Sequence, residues 1–120
     1  MEDRIRFIDH KGKQILLVDL SHATAHEILR LQEEIRMTVA QHERKSLLTL
    51  ADMTGAEIDR TVATRIKEVL TLDRPYVKKT AWVGTDSIPH ALLESFHQFS
   101  QRTIVLCKTR EEAMDRLVED

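Results

Sequence analysis

The chain is poor in the residues that punctuate or staple a fold. Its 120 residues include one cysteine, two prolines and three glycines, and only 4% are aromatic. A single Cys107 excludes an intrachain disulfide and fits a reduced, cytoplasmic home. So few aromatics leave no stacking surface for single-stranded nucleic acid. A net charge of −2 gives no overall pull toward nucleic acid or an anionic membrane. No apolar run approaches the roughly 20 residues of a membrane span. No basic-then-apolar leader opens the sequence, which again reads as cytoplasmic. Internal repeats, low-complexity tracts, a glycine-rich phosphate loop, a zinc signature and a nucleophile–base spacing are all missing. No enzyme, cofactor or metal is therefore expected.

What is present is an ordinary soluble balance, 42% hydrophobic and 32% charged. Residues 1–120 read as one domain, long enough for a real core and too short for two. Acidic and basic residues alternate along the helical segments, as solvated helix faces do.

Strand and helix patterns alternate along the chain. Arg4–Ile8 alternates polar and apolar, as a half-exposed edge strand does, and Asp9–Lys13 reads as a hairpin turn. Gln14–Asp19 is a near-continuous apolar run typical of a strand covered on both faces. Thr24 and Glu27 have capping-box spacing, and Ile28, Leu31, Ile35 and Val39 follow at helical spacing. Ser46–Ala51 is a second buried strand. Thr54 and Glu57 repeat the capping-box spacing ahead of Ile58, Val62, Ile66 and Val69, and Arg74-Pro75 stops that helix. Val77–Gly84 is β-rich. Asp86 or Ser87 caps a third helix whose apolar stripe is Leu92, Leu93, Phe96 and Phe99. Thr103–Cys107 is a last strand, and Thr109 with Glu112 caps a final helix. The order β-β-α-β-α-β-α-β-α implies an α/β domain, with a mostly parallel sheet and an antiparallel edge hairpin.

The most informative run is Leu47-Leu48-Thr49-Leu50-Ala51-Asp52-Met53-Thr54-Gly55-Ala56-Glu57, in which an apolar strand turns into a helical pattern through Asp-x-Thr-Gly. Such a junction is where α/β domains bind anions and carry switches. That motif, with His10-Lys11-Gly12-Lys13, Arg74-Pro75-Tyr76-Val77-Lys78 and Thr109-Arg110-Glu111-Glu112-Ala113, resembles a STAS domain of the SpoIIAA-like, or STAS/SEC14, branch. The resemblance covers nearly the whole chain through the order and spacing of its motifs.

The resemblance implies a non-enzymatic regulatory module similar to anti-sigma-factor antagonists, acting on a protein partner or a second copy of itself. In those proteins Asp is followed by the phosphorylated Ser or Thr, a second small hydroxyl residue, and Gly. Here Asp52 and Gly55 match, Met53 occupies the phosphorylated position, and Thr54 takes the next. The expected recognition turn is Asp52, Met53, Thr54, Gly55 and Glu57. The SEC14 half of the label implies an alternative: a small carrier of a lipid or other apolar ligand, with peripheral membrane contact. Its expected apolar wall is Leu92, Leu93, Phe96 and Phe99.

The remaining side chains have plain readings. Thr54 fits a helix N-cap, and Cys107 a small buried hydrophobe. His22 with His26 and His90 with His97 share helical spacing but lack the partners of a zinc site. Arg74, Lys78 and Lys79, and Arg102, Lys108 and Arg110, form local basic clusters on solvated surface.

Overall fold

The computed structural model describes residues 3–119. The elements follow the expected order: β1 (Ile5–His10), β2 (Lys13–Asp19), α1 (Ala25–Ala40), β3 (Leu47–Asp52), α2 (Arg60–Asp73), β4 (Val77–Val83), α3 (His90–Ser100), β5 (Ile104–Cys107) and α4 (Arg110–Val118). The strands form one sheet in the order β1-β2-β3-β4-β5. β1 pairs antiparallel with β2, and the other three pairings are parallel.

The apolar run of β2 is buried from Ile15 to Val18 because both faces of the sheet are covered. Leu16 and Val18 face one way, with Trp82 of β4 and the inner faces of α1, α2 and α3. Ile15 and Leu17 face the other way, with Leu48, Leu50, Ala81 and Val83, beneath Ala113 and Leu117 of α4. Among the described residues three helices thus cover one face and a single helix the other. A sheet wound in one direction has no point where helices diverge to opposite faces, which is where open α/β sheets usually place a ligand crevice.

The first helix begins as its capping box requires, with Thr24 accepting from the Glu27 N–H and Glu27 accepting in return. Its buried stripe is Ile28, Gln32, Ile35 and Val39. Gln32 takes the inward place expected of Leu31, which packs only partly buried against the same core. The second helix corrects the sequence reading. It starts at Arg60, and its N-cap is Asp59, whose carboxylate accepts from the Val62 N–H at 2.8 Å. Thr54 and Glu57 lie in the loop before it. The third helix also differs: Asp86 and Ser87 fall in a short 3₁₀ turn, Thr85–Ser87, and Pro89 holds the N-cap position without a side-chain cap. Thr109 caps α4 as expected, accepting from the Glu112 N–H at 3.1 Å.

Candidate functional site

The parallel register brings three strand ends together. Asp19 pairs with Asp52, and Asp52 with Val83, so the turns after β2, β3 and β4 share one rim of the sheet. Two carboxylates on adjacent strands would repel each other at such short range. Arg110, the first residue of α4, lies between them. Its Nε donates to Asp52 Oδ2 at 2.7 Å, and its Nη2 lies 3.1 Å from Asp19 Oδ1.

Each aspartate also closes its own turn. Asp52 Oδ1 accepts the Thr54 N–H at 3.0 Å, and Asp19 Oδ1 accepts the Ser21 N–H at 3.0 Å and the Ser21 hydroxyl at 2.5 Å. Burial works to raise both carboxyls. The Thr54 or Ser21 donors and the Arg110 guanidinium outweigh it and hold both below the ordinary carboxylate value. Burial likewise opposes the charge on Arg110, and the two aspartates overcome it, raising its pKa.

The backbone stitches the turns to one another. Leu20 N–H donates to Asp52 O, His22 N–H to Thr54 O, Met53 N–H to Val83 O, and Glu57 N–H to Ala23 O, all within 3.0 Å. Two left-handed glycines let the loops meet. A Cβ on Gly84 (φ 73°) would lie 2.2 Å from Thr54 Oγ1, and one on Gly55 (φ 63°) 2.5 Å from His22 Nδ1.

The expected turn residues separate into two sets. Asp52 and Met53 are buried at 7% and 2% exposure, whereas Thr54, Gly55 and Glu57 are exposed. Glu57 serves the wrong helix for its sequence spacing: its Oε1 accepts the Ala25 N–H at 2.7 Å, capping α1 rather than α2. The Thr54 hydroxyl caps no helix; it lies beside the Asp52 carboxylate, which it helps to hold in the charged form, and against Gly84. The turn therefore presents an exposed threonine on a rigid, well-tied loop.

The expected apolar wall is only partly a wall. Phe96 is fully buried, with its ring edge-on to Trp82 at 5.5 Å. Leu92 and Leu93 are partly buried, and Phe99 is 41% exposed beneath the Lys67 ammonium. None of the four lines the cavity of about 70 Å³ that lies between the sheet and helices α1 and α2.

Other candidates have ordinary structural work. His22 lies outside α1 in a left-handed conformation, so it shares no helix with His26. Among the described residues, no group of three His, Cys, Asp or Glu side chains gathers as a metal site. Burial pushes the Cys107 thiol up, away from nucleophilic thiolate. The basic clusters are dispersed: Arg74 donates to Phe99 O, Arg102 to Thr80 Oγ1, Lys79 to Glu119 O, and Arg110 belongs to the two aspartates. Among the described residues no helix is long and apolar enough to cross a membrane.

Sequence reasoning missed Asp19 and Arg110 as members of the site. Compared with family models, curated proteins and solved structures, the chain matches none.

Proposed function

We propose that this domain is a non-enzymatic regulatory or protein-interaction module of the STAS type, working through the exposed part of the turn, Thr54, Gly55 and Glu57, on a partner protein or a second copy of the chain. The observation that supports it is the placement of Thr54. The residue is exposed, caps no helix, and is carried on a loop that Asp52, Arg110 and Gly84 hold in one conformation. A preorganised loop loses little entropy when it binds. Met53, at the phosphorylated position of the STAS pattern, is buried. Within the Asp-x-Thr-Gly motif the hydroxyl that remains for a switch is that of Thr54. A phosphate there would meet the Asp52 carboxylate beside it, and the like charges would open the turn.

The carrier reading has a narrower footing. The cavity between sheet and helices is under half of the roughly 150 Å³ that admits one benzene ring, too little for a lipid chain. It would require α3 to lift away from the core.

Native mass spectrometry of the protein purified from its own host tests the proposal, with Thr54→Ala and Thr54→Glu variants beside the wild type. The expected result is a partner or second copy retained by the wild type and lost from Thr54→Glu, with all three proteins equally stable. Equal recovery of the complex with both variants overturns the turn as the contact. A lipid-sized mass on the wild type favours the carrier instead.

A further inference from the structure

The small cavity under α1 and α2 has a polar end that no part of the recognition turn explains. Most of its lining is aliphatic, but Gln32, Thr49, Asp73, Thr80 and Arg102 break that lining. Gln32 and Asp73 are only 3% and 6% exposed. Neither side chain has a hydrogen-bond partner among the described residues. No polar side-chain atom among those residues is sealed off without a partner either. The Gln32 amide and the Asp73 carboxyl therefore open onto free volume, and the cavity is the volume they line.

Arg102 supplies the charge at this end. Its Nε donates to Thr80 Oγ1 at 2.9 Å and its Nη1 to Ser100 O at 3.3 Å, while Thr80 in turn bonds Thr49 Oγ1 at 3.0 Å. Its Nη2 has no partner among the described residues. A half-buried guanidinium held on neutral oxygens lacks a counterion. Asp73 does not pair with it directly. Its carboxyl feels Arg102 from the α3–β5 connection and Arg36 from α1, yet burial outweighs both and pushes it up to about 7. Near neutrality it is in good part a protonated donor. Arg74 adds a second positive charge beside Arg102.

We propose that this cavity is a binding site for formate or a monocarboxylate of that size. The carboxylate would supply the missing counterion to Arg102 and accept from the Asp73 hydroxyl and the Gln32 amide. An amine would meet like charge at Arg102, and a neutral ligand would leave that charge uncompensated. Scaled against a benzene-sized cavity, the volume takes an acid of roughly three heavy atoms. Ionising Asp73 provides Arg102 with an internal counterion and repels the ligand, so binding weakens as pH rises.

The test is a ¹⁵N–¹H NMR titration of the full chain with sodium formate at pH 6 and pH 8. Sodium chloride at equal ionic strength and formamide are the controls. The expected result is saturable shifts at Gln32, Asp73 and Thr80, with an apparent Kd about ten-fold weaker at pH 8, in proportion to the protonated fraction of Asp73. Asp73→Asn should bind with no pH dependence over this range. Arg102→Gln should bind at least about ten-fold more weakly at both pH values. If Arg102→Gln fails to fold, the isosteric Asp73→Asn decides alone. The proposal falls if formate shifts nothing beyond the chloride control, if formamide binds as tightly, or if Asp73→Asn keeps the ten-fold pH dependence.

Discussion

Arg110 and Asp52 meet across 58 residues of sequence, Nε to Oδ2 at 2.7 Å. Through that contact the single helix on one face of the sheet is tied to the turn that emerges between the helices of the other. The same guanidinium reaches Asp19, so two neighbouring strand ends depend on one cation.

Replacing Arg110 by Met keeps the aliphatic stem and removes the charge. Two carboxylates then face each other, and stability at pH 7 should fall by about 2 kcal/mol in urea denaturation. Both carboxyls are held below their ordinary value of 3.8, so their contribution is present above that pH and is lost as pH falls through the folded-state values. The gap between variant and wild type should therefore shrink at pH 3. A gap of equal size there would contradict the ionic account.

The two possible caps of α2 are separable by mutation. Asp59→Ala should lower stability by about 1 kcal/mol, and Glu57→Ala by a similar amount through α1. Thr54→Ala should change it by less than about 0.5 kcal/mol, as surface substitutions do. Matched thermal melts give the comparison, and a Thr54→Ala loss equal to that of Asp59→Ala would return Thr54 to the role of a cap.

Gly84→Ala places a methyl group against the Oγ1, N and Cα atoms of Thr54, in a left-handed backbone that disfavours any Cβ. Backbone cannot swing aside as a flexible side chain can. The expected loss exceeds about 2 kcal/mol, and the Thr54 amide should show faster hydrogen exchange. Gly55→Ala meets the His22 ring first, a side chain that can rotate away, so its loss should be the smaller of the two.

Asp73 gives the opposite pH sign to the rim cluster. Its carboxyl is raised from 3.8 to about 7, so the folded state holds a proton that the unfolded chain releases. Its stabilising contribution is complete below about pH 4 and declines as pH rises through 7, by at most about 4 kcal/mol. The wild type should thus be most stable on the acidic side of neutrality. Asp73→Asn should flatten the decline between pH 5 and pH 8 in denaturation series, and an unchanged slope would assign that decline to another group.

The element order was legible because each strand and helix carries its own period, and because Thr24 and Thr109 cap helices that follow them directly. The Thr54–Glu57 spacing misled for a physical reason. A Thr-x-x-Glu pattern shows that two groups could satisfy one helix end, but tertiary folding gave Glu57 a better donor in Ala25. Gln32 was hidden because Leu31 beside it completes an equally good stripe. Arg110 and Asp73 did leave a trace. A cation at the first residue of a helix and an anion at the last both oppose the helix dipole. Each misfit marks a side chain placed by distant partners or by burial rather than by its own helix.

The consecutive strand order has a consequence for how the protein is made. Each strand pairs with the one that leaves the ribosome just before it, so the sheet can grow along one edge during synthesis. The three-helix face is completed on the way. The face bearing Ile15, Leu17, Leu48, Leu50, Ala81 and Val83 stays bare until α4 arrives after all five strands. For that interval the nascent chain carries an open greasy surface, and closing it falls to the last helix alone.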